Sequence, residues 1–515
     1  MSHPAQCNFA ARLVERLGPA SELLDAQSGE RIAAAELPTV IADFAATFAA
    51  AGLQRGDRVL IGCNLRPLSS LAYLGAMFGG LVAVPVNETA LAGSGEALAR
   101  KTRARAVWTE HGMRGDWTSR YGLAQLEGWP QRSGRGATPA ATCAEDELAA
   151  LMATSGSTGE PRLVKISHGN LVANTEAIIR SQHLASDERA MLVLPVSYCF
   201  GASVLHTHLY QGGAVVFDSR FMFPDKVLRA IAQYDCTTFA GVPTAYQILL
   251  RRSNIRSIRI PTLRRFLQAG GALSAVAARQ MRAIVPHAEF LVMYGQTEAT
   301  ARISCLPPQR LDDKAGSVGV PLDNLAVRIV GADGAEVRMG ESGELWVAGK
   351  SISAGYLDDA EETQRKFRDG WLATGDMAWR DADGYLWITG RQGEFIKMRG
   401  VRVGLAQIEA TIATVRGVLE CAAVAVPHEE SGEALALYVV AAEDARDVAV
   451  AVRRRLPSEW TCASVSLVTE LPRNAHGKLM RSQLASMVRN APAENDGRGA
   501  SSVQRALAAD EASGT

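Results

Sequence analysis

The chain lacks an excess of either charge: Lys+Arg and Asp+Glu both number 54 in 515 residues. Without a net field there is no electrostatic ground for nucleic acid or an anionic membrane as its main partner. None of the eight cysteines falls in a C-x-x-C or a Cys/His spacing. That disfavours a zinc site and reads as free thiols in a reducing compartment. The longest apolar run, Leu71 to Val86, is short of a membrane span and is broken by Gly75, Gly79, Gly80 and Pro85. No basic segment followed by an apolar core opens the chain, so no signal peptide is read. The expectation is a cytoplasmic protein without a membrane span. Hydrophobic residues at 47% and charged residues at 21% are an ordinary globular balance, and the length allows two or three domains.

The richest segment is Thr154-Ser155-Gly156-Ser157-Thr158-Gly159-Glu160-Pro161-Arg162, which follows the apolar run Leu148 to Ala153. A strand ending in such a loop presents hydroxyls and backbone N–H groups together, and glycine lets those amides converge on one anion. By itself the loop reads equally as a phosphate cradle or as a polar connector. It contains neither G-x-x-x-x-G-K-[ST] nor a serine placed singly between two flanked glycines, so a P-loop NTPase and a serine hydrolase both lose ground.

Short apolar segments such as Ala190 to Pro195 and Ala214 to Phe217 alternate with longer helical patterns through the first 330 residues. This predicts parallel sheets covered by helices. Between Arg328 and Gly349 the turns Gly-Ala-Asp-Gly and Gly-Glu-Ser-Gly break short runs, predicting a small antiparallel piece. After Gly390 a compact unit follows, with Ile408 to Val415 helical and Ala422 to Val426 and Leu435 to Ala441 as strands. The fold class is therefore α/β: a large N-terminal domain of helix-covered sheets with a small antiparallel β piece, then a small α+β C-terminal domain. The boundaries are placed at 1–391, 392–488 and a tail over 489–515 expected to be disordered.

Further motifs follow in order: Tyr294-Gly295-Gln296-Thr297-Glu298, Gly343-Glu344-Leu345, Ala373-Thr374-Gly375-Asp376, the run Gly390 to Arg402, and Leu471-Pro472-Arg473-Asn474-Ala475-His476-Gly477-Lys478. The ordered set, from about residue 10 to 487, resembles the adenylate-forming superfamily of acyl-CoA synthetases, stand-alone adenylation domains and luciferases. The resemblance implies that ATP and a small carboxylic acid form an acyl adenylate with release of pyrophosphate. CoA, or the phosphopantetheine of an acyl carrier protein acting in trans, then takes the acyl group. It further implies Thr154, Ser155, Gly156, Ser157, Thr158, Gly159 and Arg162 as the phosphate loop. Tyr294 is implied as the ring against adenine, Gly271 and Gly295 as nucleotide-side glycines, and Thr297 as the hydroxyl meeting the α-phosphate. Glu298, with Thr158, is implied as the Mg²⁺ ligand, a role suited to a cation that takes one carboxylate plus phosphate oxygens and water. Asp376 is implied to accept from the ribose hydroxyls, Arg391 to support ribose or phosphate, and Lys478 to reach the α-phosphate and the reacting carboxylate. A hinge at Gly393 moves the C-terminal domain in this scheme, and Lys397, Arg399 and Gly400 line the pantetheine channel. A binding-only relative that holds nucleotide without turnover is the alternative of a different class.

The chain departs from the pattern in places. Arg162 replaces the usual lysine and keeps its charge, Leu163 replaces a glycine, and Gln407 replaces a glutamate. Gly393 stands where an Asp or Lys is usual. On the acid side, Tyr198, Gly201, Gly241, Ala269 and Gly270 are read as pocket walls. Gly201 falls where α-amino-acid adenylation domains carry an aspartate for the substrate ammonium, so its loss argues for a plain carboxylic acid. On that argument a Gly201→Asp variant is expected to gain amino-acid activity. Arg302 is read as meeting a second polar group on the substrate or, more readily, as making a surface ion pair. His206 and His208, two apart on a helix, share no face and are read as structural. Lys478→Ala is expected to lower adenylate formation by about 100-fold or more while leaving ATP binding largely intact. Turnover unchanged in that variant would remove the lysine from the chemistry.

Overall fold

A computed structural model describes residues 7–112, 116–131, 138–154, 162–398, 401–428, 432–441, 446–457, 460, 462–473 and 479–489. The chain divides into two compact units that meet in sequence between Phe395 and Ile396.

The first unit contains a nine-stranded sheet. Its centre is six parallel strands in the order Glu289–Tyr294, Arg265–Gln268, Thr238–Gly241, Arg189–Leu192, Ala214–Phe217 and Glu22–Asp25. The antiparallel strands Ser304–Leu306 and Val320–Pro321 continue it at one edge, and Arg31–Ala33 closes the other. A six-stranded sheet runs Ala124–Glu127, Ala106–Thr109, Arg58–Cys63, Val82–Asn87, Leu148–Thr154 and Arg162–Ser167. All its neighbours are parallel except the final hairpin. Strands such as Ala214–Phe217 and Thr238–Gly241 are buried at every position because helices cover both faces. One continuous apolar core joins side chains from both sheets.

The small antiparallel piece is larger than the turns announced. Leu325–Val330, Gly343–Gly349, Trp371–Arg380, Phe367–Arg368 and Leu386–Arg391 form one five-stranded sheet. Gly343–Gly349 alternates buried and half-buried positions, as a sheet with one apolar face does, with Leu345 and Val347 inside.

The second unit has the antiparallel pair Val418–His428 and Gly432–Ala441, with Cys462–Leu467 parallel to the latter. The helices Leu405–Ile412, Arg446–Arg455 and Arg481–Arg489 accompany them. Separate apolar clusters form around Leu435, Leu437 and Val439 and around Ala434, Ala436 and Tyr438, because successive strand residues point to opposite faces. The tail expected over 489–515 lies almost wholly outside the described residues.

The helix Cys199–Tyr210 is buried over its whole length, which explains His206 and His208 better than the face argument does. His206 sits edge-on to Phe9 at 4.7 Å and stacks on Tyr73 at 5.7 Å. His168, first residue of the helix His168–Gln182, accepts the backbone N–H of Phe9 at 3.1 Å through Nδ1. Burial holds His206 down to about 3, and His168 and His208 down to about 4.

These rings are neutral in the folded chain and protonate near 6.5 when unfolded, so the unfolded state binds more protons as pH falls below that value. Stability is therefore expected to be lost from about pH 6.5 down to about pH 4, read as a falling Tm. His168→Asn keeps an acceptor for Phe9 and is expected to make that fall shallower. Identical slopes for the two proteins would exclude a contribution from His168.

Candidate active site

Six of the residues singled out in the sequence sit on the stretch Tyr294–Glu298 and on two paired strands of the first unit. The strand Glu289–Tyr294 ends at Tyr294, whose hydroxyl donates to Asp376 Oδ2 at 2.5 Å. Arg391 Nε donates to Asp376 Oδ1 at 2.9 Å, the two strands being paired at that point. Asp376 is buried, and its backbone N–H is taken by Thr374 Oγ1 at 3.1 Å. Burial and the Asp376 carboxylate keep the Tyr294 hydroxyl protonated far above its usual range. Each carboxylate oxygen retains a lone pair after these bonds, so Asp376 still has two acceptor sites for hydroxyls.

Beyond Tyr294 the chain folds back on itself. A Cβ at Gly295 would fall on the carbonyl of Ala301, so no side chain fits there. Thr297 Oγ1 lies 3.4 Å from Cys199 Sγ, at the start of the buried helix. Glu298 is buried, and its Oε1 accepts the Tyr356 hydroxyl at 2.7 Å. Burial, followed by this carboxylate, raises the Tyr356 hydroxyl. The other Glu298 oxygen accepts nothing among the described residues, leaving a single carboxylate oxygen for a hard cation, which is the donor set Mg²⁺ favours. Tyr356 is not legible in the sequence, since no spacing connects it to Glu298. Strand edges bring it there: Lys165 N–H donates to Gly355 at 2.9 Å and Leu357 N–H to Leu163 at 2.8 Å.

At the base of the hydroxyl-rich loop, Thr154 Oγ1 closes on the carbonyl of Arg162 at 3.4 Å. Ser155, Gly156, Ser157, Thr158 and Gly159 lie outside the described residues, as do Arg399, Gly400 and Lys478. Arg162 is paired with Asp359 at 3.2 Å and Glu362 at 3.6 Å and lies 5.8 Å from the Tyr356 ring centre. Its charge therefore joins the carboxylates beside Tyr356. Gly393 has φ +90 and open space where a Cβ would stand, so backbone conformation alone favours glycine in place of the usual Asp or Lys. Lys397, in the strand Phe395–Met398, has an exposed side chain.

Among the acid-side residues, Gly270 (φ +86) is held against Tyr198, whose hydroxyl would be 2.5 Å from a Cβ there. Ala269 is buried, the Gly271 carbonyl accepts from Gln268 Nε2 at 2.8 Å, and Gly241 is hemmed in by Phe239, Ala245 and Tyr246. Two expectations are corrected. Gly201 does not present an empty side-chain position to the substrate: a Cβ there would lie 2.7 Å from the Leu194 carbonyl oxygen and closer still to that of Pro195. Its lack of a side chain is a packing requirement, and Gly201→Asp would disrupt the start of the buried helix without recruiting an ammonium. Arg302 does not make a surface ion pair: it is 2% exposed, with its guanidinium 4.8 Å from the Phe200 ring centre.

Asp376, with spare acceptor sites, and Glu298, with one oxygen open among the described residues, are two buried carboxylates able to take hydroxyl and cation partners. The comparisons with known proteins agree. Residues 14–357 match the family described as AMP-binding enzyme, and residues 407–478 match the AMP-binding enzyme C-terminal domain. The chain belongs to the AMP-binding enzyme family. A feruloyl-CoA synthase from Amycolatopsis sp is 32% identical over 470 residues, 88% of this chain and 94% of the relative. A sulfoacetate–CoA ligase from Cupriavidus necator is 31% identical over 485 residues, 90% and 94% of the two chains. ATP-bound MatB from Rhodopseudomonas palustris superposes with a TM-score of 0.84 at 27% identity, covering 94% of this chain and 99% of that one.

Gly201→Ala is expected to destabilise the protein by about 2 kcal/mol, because its methyl meets backbone carbonyls that cannot move aside. Thermal or denaturant unfolding reads this. A variant as stable as the parent would restore Gly201 as an open pocket position.

Proposed function

We propose how the residues of this chain divide an AMP-forming acid–thiol ligation among themselves. The reaction activates a carboxylic acid with ATP to acyl-AMP and pyrophosphate, then passes the acyl group to the thiol of CoA. In the first half, a carboxylate oxygen forms a bond to the α-phosphorus and the bond to the pyrophosphate leaving group breaks. In the second, the thiol sulfur attacks the acyl carbonyl and AMP departs. No nucleophile from the protein is required, so its task is to orient the partners and offset charge on phosphate oxygens.

The observation that carries the assignment is the pair of hydrogen bonds that Tyr294 and Arg391 make to Asp376, with Tyr294 itself only a few residues before Thr297 and Glu298. Asp376 is locked in place and accepts from the ribose hydroxyls, while the Tyr294 ring, pinned through its own hydroxyl, packs against adenine. Thr297 donates to the α-phosphate. Glu298, steadied by Tyr356, would hold Mg²⁺, which when bound offsets phosphate charge. Thr154 and Arg162 bound the loop that meets the outer phosphates. Lys478 reaches the α-phosphate and the reacting carboxylate. Gly393 serves as hinge between domains 1–391 and 392–488, and Lys397, Arg399 and Gly400 take the pantetheine arm.

The acid is a carboxylic acid without an α-ammonium. The two relatives named for their acids support this, one for feruloyl and one for sulfoacetate, both joined to CoA. Tyr198, Gly241, Ala269 and Gly270 are the pocket walls.

Pyrophosphate release with ATP and Mg²⁺, across fatty, aryl and amino acids with and without CoA, tests the reading. Release that depends on a simple acid and is accelerated by CoA is expected. Acid-dependent release indifferent to CoA would move the acceptor to a carrier protein, and no release with any acid would leave only nucleotide binding. Asp376→Ala is expected to raise the KM for ATP about tenfold or more, because it removes the acceptor and frees Arg391 and Tyr294 together. An unchanged KM would detach Asp376 from the nucleotide.

A further inference from the structure

Arg302 is the one feature of the acid side that the ligation leaves unused. It is 2% exposed, yet no carboxylate pairs with it among the described residues, and its Nε is enclosed without a hydrogen-bond partner. A guanidinium is always charged, and burying one without an anion is costly. Stacking on Phe200 at 4.8 Å offsets part of that cost but supplies no acceptor for the N–H groups. The groups that sense its charge are neutral: the Cys305 and Cys199 thiols and the Tyr198 hydroxyl.

The fold holds this arginine in place rather than letting it escape to water. Asn174 grips its backbone on both sides, accepting the Arg302 N–H at 3.2 Å and donating to its carbonyl at 2.9 Å. Two residues earlier Thr300 has φ +68, and the Ala301 N–H bonds the Ala299 carbonyl at 2.8 Å, a γ-turn of the rare positive-φ kind. Thr300 is kept there by its hydroxyl, which donates to the Ser351 carbonyl at 2.6 Å. A β-branched residue at positive φ is strained. That strain directs the next side chains inward, toward Tyr198 and Phe200.

We propose that Arg302 is a specificity residue that takes a second anionic group on the acid, so that the substrate is a short dicarboxylic or sulfonated carboxylic acid. This rests on the ligase reading above. The spacer is short because Thr297, assigned to the α-phosphate, contacts Cys199 at 3.4 Å, while Arg302 stacks on the next residue of the same buried helix, Phe200, at 4.8 Å. The planar fork of the guanidinium suits either a carboxylate or a sulfonate, and Tyr198, whose hydroxyl senses the Arg302 charge, lies against Gly270.

The test is pyrophosphate release with malonate, succinate, glutarate, sulfoacetate and 3-sulfopropionate against propionate, butyrate, valerate and benzoate. The wild-type enzyme is expected to prefer at least one two-anion acid over the monoacid of matching length by on the order of 100-fold in kcat/KM. Arg302→Met is expected to erase that preference, chiefly through KM and with a gain on the monoacid, while Arg302→Lys keeps part of it. The carboxylate and sulfonate arms identify which anion is taken. Wild-type preference for monoacids, or an Arg302→Met variant that lowers both kinds alike, overturns the proposal while the ligase reading stands. Silence with every acid overturns the ligase reading and this proposal with it. If Arg302→Met does not fold, the wild-type ranking decides.

Discussion

The space between Gly295 and Ala301 governs this site. The chain leaves the strand Glu289–Tyr294 and returns so closely that only a hydrogen fits on the Cα of residue 295. Everything chemical on this side of the protein hangs from that return. Thr297 and Glu298 lie inside it, Thr300 absorbs its strain, and Arg302 emerges from it toward the acid side. A methyl at 295 would push the Ala301 carbonyl away and carry the γ-turn, the buried arginine and the Glu298 carboxylate with it.

The return is held from outside by parts of the chain remote in sequence. Asn174 grips Arg302, Ser351 receives Thr300, and Tyr356 steadies Glu298. The first comes from a helix packed on the sheets and the others from the stretch after the strand Gly343–Gly349. A strained loop persists only where its surroundings over-determine it, and here two separate segments do so through three contacts. The same logic applies to Asp376, which Tyr294 and Arg391 hold in place. Such preorganisation lowers the ordering cost of binding.

The resemblance to adenylate-forming enzymes is legible because its motifs are backbone-driven: glycines where the chain must turn, hydroxyls and carboxylates at fixed offsets from strand ends. Local sequence is enough to single out Tyr294, Glu298, Asp376 and Arg391, and three of them meet through hydrogen bonds in the fold. Two acid-side residues escape a local reading for a common reason. At Gly201 the sequence invites the question of what a side chain would face, when the backbone carbonyls of Leu194 and Pro195 leave no room for one. Arg302 suggests the surface because arginine usually is there, when Phe200 and the Asn174 grip keep it inside.

The sequence by itself determined the class of chemistry, the alternation of strand and helix that builds the parallel sheets, and the antiparallel character of the stretch Arg328 to Gly349. Those follow from local periodicity and from residue types whose spacing along the chain is also their spacing in space. Only the tertiary structure decided which glycines are packing necessities, that Tyr356 bonds Glu298, and that Arg302 lies buried against Phe200 with no carboxylate partner among the described residues. These depend on which backbone and side-chain surfaces the fold presses together, and no periodicity in one segment records what another segment will place against it.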